Sequence, residues 1–342
     1  MVRPTVHDIA RHAGVSLATV DRVLNARPGV RKQTVARVEE AIRAIGYVRD
    51  QGAANLARRR VYRFAFLLPD GQSRFVGTIL SALEEARESQ LTDRVMLEVC
   101  HVPVHDPHAL AATLVALGAG KVDGVAVMAP ESPQVRDAVA RLRRGGTPVV
   151  ALVADQPQSD RDHFVGIDND AAGRTAARLM GRFLPPSGGP VLVVASSIRA
   201  RDSLERRFGF DSLIGTEFPA VHCLPTLEAH DDPQRMAAIL QNAFAARSDI
   251  VGVYSLSTGN GALIDALREK GRLARLVVIA HELTPLTRAA LLAGELDAII
   301  TQNTGHLVRS AIRVLQARCD GREILASQER IRIEIILREN LP

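Results

Sequence analysis

The chain has 342 residues, 46% of them hydrophobic and 24% charged, with a formal net charge of +5. This composition excludes wholesale disorder, and no run approaches the roughly 18 apolar residues that span a bilayer, so a soluble protein of two or three domains is expected. Three widely spaced cysteines (Cys100, Cys223, Cys319) give neither a disulfide framework nor a zinc site, and the start M-V-R-P-T-V-H-D lacks an apolar export core, so a cytoplasmic setting is expected.

The charge is unevenly placed. Residues 1–60 hold twelve Lys/Arg against five acids, a net +7, which leaves −2 for residues 61–342. A polyanion partner for the first sixth of the chain is the direct electrostatic reading. Three short helices are predicted there: Val6–Ala13, ending at Gly14; Leu17–Leu24, with Ser16 as N-cap; and about Lys32–Ala44, after the loop with Pro28-Gly29. Apolar residues Ile9, Ala10, Ala13, Val20, Val23, Leu24, Val35, Val38, Ala41 and Ile42 fall on the inner faces. A helix, a turn at glycine and a second helix make a helix-turn-helix, so residues 1–49 read as an all-α DNA-binding head.

The stretch T-V-H-D-I-A-R-H-A-G-V-S-L-A-T-V-D-R-V-L-N, followed by V-R-K-Q-T-V-A-R-V-E-E-A-I-R-A-I-G-Y, closely resembles the head of the lactose/galactose-repressor (LacI/GalR) family. The resemblance places the second helix in the major groove, with Leu17, Ala18 and Arg22 at base-reading positions and Asp21 between them. The Arg22 guanidinium fork suits guanine O6 and N7, whereas Leu17 and Ala18 offer only apolar contact. Asp21 departs from the Ser or His usual at its position. It either accepts from cytosine N4 or pairs with Arg22 or Arg27, the intramolecular pairing being favoured. Thr5, Ser16, Thr19, Asn25 and Thr34 are candidate phosphate anchors, each also a candidate cap or core hydroxyl.

Residues 50–60, D-Q-G-A-A-N-L-A-R-R-R, are too short for an independent helix. By resemblance they are a hinge that folds in the operator's minor groove, with Leu56 as the wedge and Ala53 as the small residue that lets two hinge helices approach. Arg58, Arg59 and Arg60 add phosphate contacts.

From Tyr62 onward, short apolar runs alternate with amphipathic helical stretches. Predicted strands are R-F-A-F-L-L-P, M-L-E-V-C-H-V, D-G-V-A-V-M-A, V-V-A-L-V-A, V-L-V-V-A, V-G-V-Y-S, L-V-V-I-A and A-I-I-T-Q; early predicted helices are Gly77–Ser89 and Pro107–Leu117. Strands alternating with helices indicate parallel sheets, and this many units favours two lobes over one sheet. Landmarks D-G-V-A-V-M-A, V-G-I-D-N-D-A-A-G, E-R-R-F-G-F and H-E-L-T-P resemble periplasmic sugar-binding proteins of the ribose-binding type. Residues 61–342 are thus expected to be a two-lobed, periplasmic-binding-protein-like (type 1) α/β sensor that holds a ligand between its lobes.

Carried over by position, the effector site comprises Gln72, Phe75, Arg206, Glu282 and Gln302, with Asp155, Asp202, Ser255 and Asn260 as further candidates. Arg206 and Glu282 would fork-bind hydroxyl or carboxyl groups, and Phe75 would stack on an apolar ring face. The chain departs from the family at Glu282, usually Asp, at Leu256-Ser257, usually Asn-Asp, and at His281, often an aromatic.

No P-loop, G-x-G-x-x-G, G-x-S-x-G or H-E-x-x-H motif is present, so no enzyme, cofactor or metal is expected. The expected protein is a homodimeric transcription regulator, by default a repressor, that binds palindromic operator DNA under control of a carbohydrate-like effector and touches no membrane. Inducer and corepressor action both stay open. The alternative is a constitutive DNA-binding protein whose sensor serves only as a dimerisation scaffold.

Overall fold

A computed structural model describes residues 4–24, 27–47, 61–71, 73–90, 94–103, 106–118, 120–256 and 259–342. Asn25, the hinge with Ala53 and Leu56, and Gln72 lie outside the described residues. The chain divides into two compact units, Met1–Arg60 and Val61–Pro342.

The first unit holds α1 (Val6–Ala13), α2 (Leu17–Leu24) and α3 (Lys32–Ile45). Their apolar faces meet in a small core of Ile9, Ala13, Val20, Val38 and Ala41, flanked by Ala10, Val15, Val23, Leu24, Ile42, Ile45 and Tyr47. Gly14 ends α1 at φ 60°, the left-handed conformation that glycine adopts at little steric cost. Arg37 of α3 secures this turn, its Nη2 donating to the carbonyls of Ala13 at 2.5 Å and Gly14 at 3.3 Å. Two carbonyls that would otherwise lack helical partners are satisfied from across the core.

In the second unit, β1 (Tyr62–Pro69), β2 (Val95–Val102), β3 (Gly124–Val127), β4 (Val149–Leu152) and β5 (His163–Val165) form a parallel sheet of order β2-β1-β3-β4-β5. A second sheet has the order β11-β10-β9-β8-β6-β7. It comprises β6 (Gly189–Ala195), β7 (Val221–Glu228), β8 (Gly252–Ser255), β9 (Val277–His281), β10 (Ala298–Gln302) and β11 (Ile333–Ile336), all parallel except β11. Central strands such as G-V-A-V and V-V-A-L are buried throughout, as helices on both faces of a parallel sheet require.

Those helices are α4 (Arg74–Gln90), α5 (Pro107–Leu117) and α6 (Pro133–Arg144) in the first lobe, and α7 (Asn169–Phe183), α8 (Arg201–Glu217), α9 (Pro233–Ala246), α10 (Asn260–Glu269) and α11 (Pro285–Leu292) in the second. Helix α12 (Thr304–Cys319) follows β10 yet packs against α4 and the first sheet, so the chain returns to the first lobe before closing β11 onto the second. Four helices start with one local signal, a capping side chain followed by proline: Asp106-Pro107, Ser132-Pro133, Asp232-Pro233 and Thr284-Pro285. The cap accepts an orphan N–H while proline occupies a first-turn position that needs none.

Among the described residues no helix is long and apolar enough to cross a membrane.

Candidate functional site

Two surfaces collect the sequence-predicted residues. On the head, α2 presents Leu17, Ala18, Asp21 and Arg22 to solvent, with Leu17 42% exposed despite its apolar side chain. Val20, one position away, is fully buried and fixes which way this face points. Asp21 Oδ2 accepts from Arg27 Nη1 at 3.2 Å, the intramolecular pairing. Arg22 makes no side-chain hydrogen bond or ion pair among the described residues, so its fork is available.

The hydroxyls nearby serve helix ends. Thr5 Oγ1 donates to Asp8 Oδ2 at 2.8 Å, and the Thr5 backbone N–H donates to the same oxygen at 2.9 Å. These donors hold the Asp8 carboxyl below its ordinary pKa. Ser16 Oγ accepts from the Thr19 N–H at 3.2 Å and lies 2.9 Å from Thr19 Oγ1. Thr34 is half-buried in the first turn of α3.

In the second unit, the polar residues gather beyond the carboxyl ends of the strands, where ligands of parallel sheets bind. Asn169 follows β5, Arg206 lies on α8 after β6, Leu256 follows β8, Glu282 follows β9 and Gln302 ends β10. Arg206 is 1% exposed and organises them. Its Nε donates to Asn169 Oδ1 at 2.9 Å, Nη1 to the Leu256 carbonyl at 2.8 Å and Nη2 to Glu282 Oε1 at 3.3 Å. Asp202, one helical turn earlier, places Oδ2 3.9 Å from Nη1.

Glu282, also 1% exposed, accepts further from Gln302 Nε2 at 3.1 Å and Thr301 Oγ1 at 3.3 Å. Burial pushes its pKa up, while Arg206 and the two neutral donors pull it down. Its backbone sits at φ 69°, uncommon for a residue with a Cβ, and is held by the Glu282 N–H on the Ile300 carbonyl and Thr287 Oγ1 on the Glu282 carbonyl, both at 2.9 Å. One end of each flanking amide has no partner among the described residues: Nδ2 of Asn169 and Oε1 of Gln302.

Arg206 reaches this place because α7 and α8 pack backbone to backbone. A Cβ on Gly173 would stand 2.0 Å from the Arg206 carbonyl oxygen, and one on Gly209 would stand 2.1 Å from that of Asp170. Only glycine allows both approaches. The landmarks V-G-I-D-N-D-A-A-G and E-R-R-F-G-F are therefore two halves of one crossing. Asn169 lies within the first of them and was missed as a site residue; its place one position after the α7 cap Asp168 was the available signal.

Around this cluster, Asn260 donates Nδ2 to the His281 carbonyl at 2.8 Å, and Tyr254 Oη lies 2.8 Å from His281 Nε2. Burial, with Arg206 nearby, drives the His281 pKa well below its ordinary value, so the imidazole is neutral. Ser255 is 2% exposed at the end of β8. Phe75, 2% exposed, is packed into the largest apolar core, which also holds Tyr254 and Leu256.

Asp155 follows Val153, which has φ 65°, and is gripped by Arg161, whose Nη2 donates to Oδ2 at 2.7 Å. The two lobes touch through Glu131, after β3, whose Oε2 lies 3.6 Å from Arg201 Nη1 at the start of α8. Each has a second partner in its own lobe: Arg136 for Glu131 at 3.9 Å, and Glu205 for Arg201 at 2.7 Å. Burial raises the Glu205 pKa, Arg201 lowers it, and Asp155 and Asp202 add to the rise.

Residues 5–50 match the bacterial regulatory proteins, lacI family, and residues 64–323 match the Periplasmic binding protein domain. HTH-type transcriptional regulator DegA of Bacillus subtilis is 28% identical over 178 residues, covering 52% of this chain and 51% of that protein. Catabolite control protein A of Priestia megaterium is 28% identical over 175 residues, covering 51% of this chain and 50% of its own. The chain thus spans about half the length of these curated relatives. Among solved structures, an ABC transporter solute binding protein from Burkholderia graminis, in complex with D-arabinose, aligns with TM-score 0.74 at 22% identity, over 82% of this chain and 96% of that one. At that identity the likeness shows the fold alone.

Proposed function

We propose that this chain, which belongs to the Periplasmic binding protein domain family and carries a lacI-family regulatory head, is a transcription regulator whose grip on operator DNA is set by a small ligand held between its sensor lobes. The observation that carries the DNA-binding half is the face of α2, where Leu17, Ala18, Asp21 and Arg22 stand exposed beside each other over a fully buried Val20. A helix that spends its apolar residues on a compact core and turns an arginine fork outward is built to enter a major groove.

The sensor half rests on the convergence of Asn169, Asp202, Arg206, Glu282 and Gln302 at the strand ends. Such a polar cluster suits a hydroxyl-rich, carbohydrate-like effector. Two chains would dimerise through their sensors and read a palindrome in the cytoplasm, with a Leu56 wedge from each at its centre. Ligand-driven change in the lobes would alter hinge folding and hence operator affinity. Repression relieved by the effector is the default sign.

The test is selection of bound duplexes from a random pool with the full chain, followed by a thermal-shift screen against sugars and polyols and titration of any hit into the operator complex. An enriched palindrome whose affinity the hit changes supports the reading; enrichment of no sequence overturns it. Arg22→Ala is expected to relax one base preference per half-site, losing roughly 1–3 kcal/mol of discrimination there. The scaffold-only alternative is favoured by one observation, that Arg206 and Glu282 are 1% exposed and bond each other. An operator affinity indifferent to every stabilising ligand would select it.

A further inference from the structure

We infer that Glu282 and Gln302 make the sensor cleft select against anionic effectors, so that it accepts an uncharged, hydroxyl-bearing ligand and rejects the corresponding acid. This rests on the effector reading above and adds the chemical class that the site takes.

Arg206 is the natural seat for a ligand carboxylate, since its planar fork matches one in geometry and charge. In this chain that seat has an internal occupant. Glu282 Oε1 lies 3.3 Å from Arg206 Nη2, and Asp202 Oδ2 lies 3.9 Å from Nη1. Two carboxylates therefore face one guanidinium, and a ligand carboxylate would bring a third negative charge into surroundings where Arg206 and Glu282 are each 1% exposed. At that burial water screens the repulsion poorly.

Glu282 is not placed there by chance rotation of a flexible side chain. Its left-handed backbone, its own N–H on Ile300 and the Thr301 and Gln302 donors fix the carboxylate against Arg206.

The two flanking amides specify the rest. Gln302 gives its N–H to Glu282, which leaves Oε1 as an acceptor without a partner among the described residues. Asn169 gives its oxygen to Arg206, which leaves Nδ2 as a donor. A ligand that meets both must donate and accept. A hydroxyl does both, whereas an ionised carboxylate accepts only and would meet Gln302 Oε1 lone pair to lone pair.

The experiment uses the full chain and two independent arms. In the first, thermal shift and calorimetry compare neutral sugars with their acids: glucose with gluconate and glucuronate, galactose with galacturonate, xylose with xylonate. Any stabilisation is expected from the neutral member, at least tenfold tighter than its acid, and Glu282→Gln is expected to narrow that gap. An acid that binds wild type as well as its parent sugar overturns the inference.

The second arm needs no knowledge of the effector. Glu282→Ala empties the carboxylate seat, so acetate or formate at fixed ionic strength should raise the melting midpoint of the variant by several degrees, with chloride less effective and wild type indifferent. If Glu282→Ala folds only with acetate present, the expected result is obtained in stronger form. An equal acetate response in both proteins, or none in a folded variant, overturns the assignment. A panel of sugars that all fail to bind would count against the effector reading, while the acetate arm would still decide the role of Glu282.

Discussion

Replacing Arg206 with methionine keeps the aliphatic length and deletes the guanidinium. Three acceptors lose their donor at once: Asn169 Oδ1 at 2.9 Å, the Leu256 carbonyl at 2.8 Å and Glu282 Oε1 at 3.3 Å. Glu282 keeps Gln302 and Thr301 but no cation as close. Removing one member of a buried pair costs about 3–5 kcal/mol, and the two neutral acceptors that also lose their donor place this site in the upper part of that range, at about 4–5 kcal/mol. For a unit of this size that corresponds to a fall of about 8–10 °C in the melting midpoint. Arg206→Met with Glu282→Gln should recover about half, because the stranded carboxylate is gone, giving a coupling of about 2–3 kcal/mol in a double-mutant cycle.

The same variants carry a pH signature. Burial raises the folded-state pKa of Glu282 above its ordinary 4.5, and loss of Arg206 raises it further. A carboxyl raised in the fold favours the fold when protonated, so this contribution is whole below about 4.5 and is lost as pH climbs through the raised value. Arg206→Met should therefore lose stability steadily from pH 4.5 upward, more steeply than wild type, and the Glu282→Gln background should remove that part of the slope. Urea denaturation across pH reads both effects. A single-variant cost below 1 kcal/mol, or costs that simply add, would refute the view that the two groups form one buried unit.

Gly173→Ala puts a methyl 2.0 Å from the Arg206 carbonyl oxygen, so α7 and α8 must separate. A cost of about 1–3 kcal/mol is expected, together with loss of ligand-induced thermal shift out of proportion to it, because Arg206 rides on the crossing; unchanged ligand affinity would detach the crossing from the site. In the head, Arg37→Ala leaves the Ala13 and Gly14 carbonyls unserved. Hydrogen-exchange protection of the α1 amides should drop about tenfold, equivalent to about 1.4 kcal/mol, and operator affinity should fall although the substitution is off the α2 reading face. Protection equal to wild type would mean that the turn needs no such brace.

Much of this protein was legible locally. The helices of the head are set by the spacing of Ile9, Ala13, Val20, Val38 and Ala41 and by the punctuation at Gly14 and Ser16, signals that lie within one turn of the structure they cause. Central strands declare themselves because a sheet buried on both faces demands unbroken apolar runs, as in β3 and β4. The strands missed by the sequence reading, β5, β7 and β11, are all at sheet edges. There one side of the strand meets solvent, so His222, Pro225 and Glu334 are tolerated and the apolar signal thins.

Tertiary structure alone decided how the polar cluster is bonded. Resemblance named Arg206, Glu282 and Gln302, but that Arg206 and Glu282 bond each other across 76 residues depends on two helices crossing at Gly173 and Gly209 and on one residue held at a left-handed φ. It also decided that Phe75 is buried in the apolar core. The physical reason is range: periodicity and capping act over three or four residues, whereas the charge balance at a buried guanidinium is set by whichever groups the fold brings within about 4 Å of it.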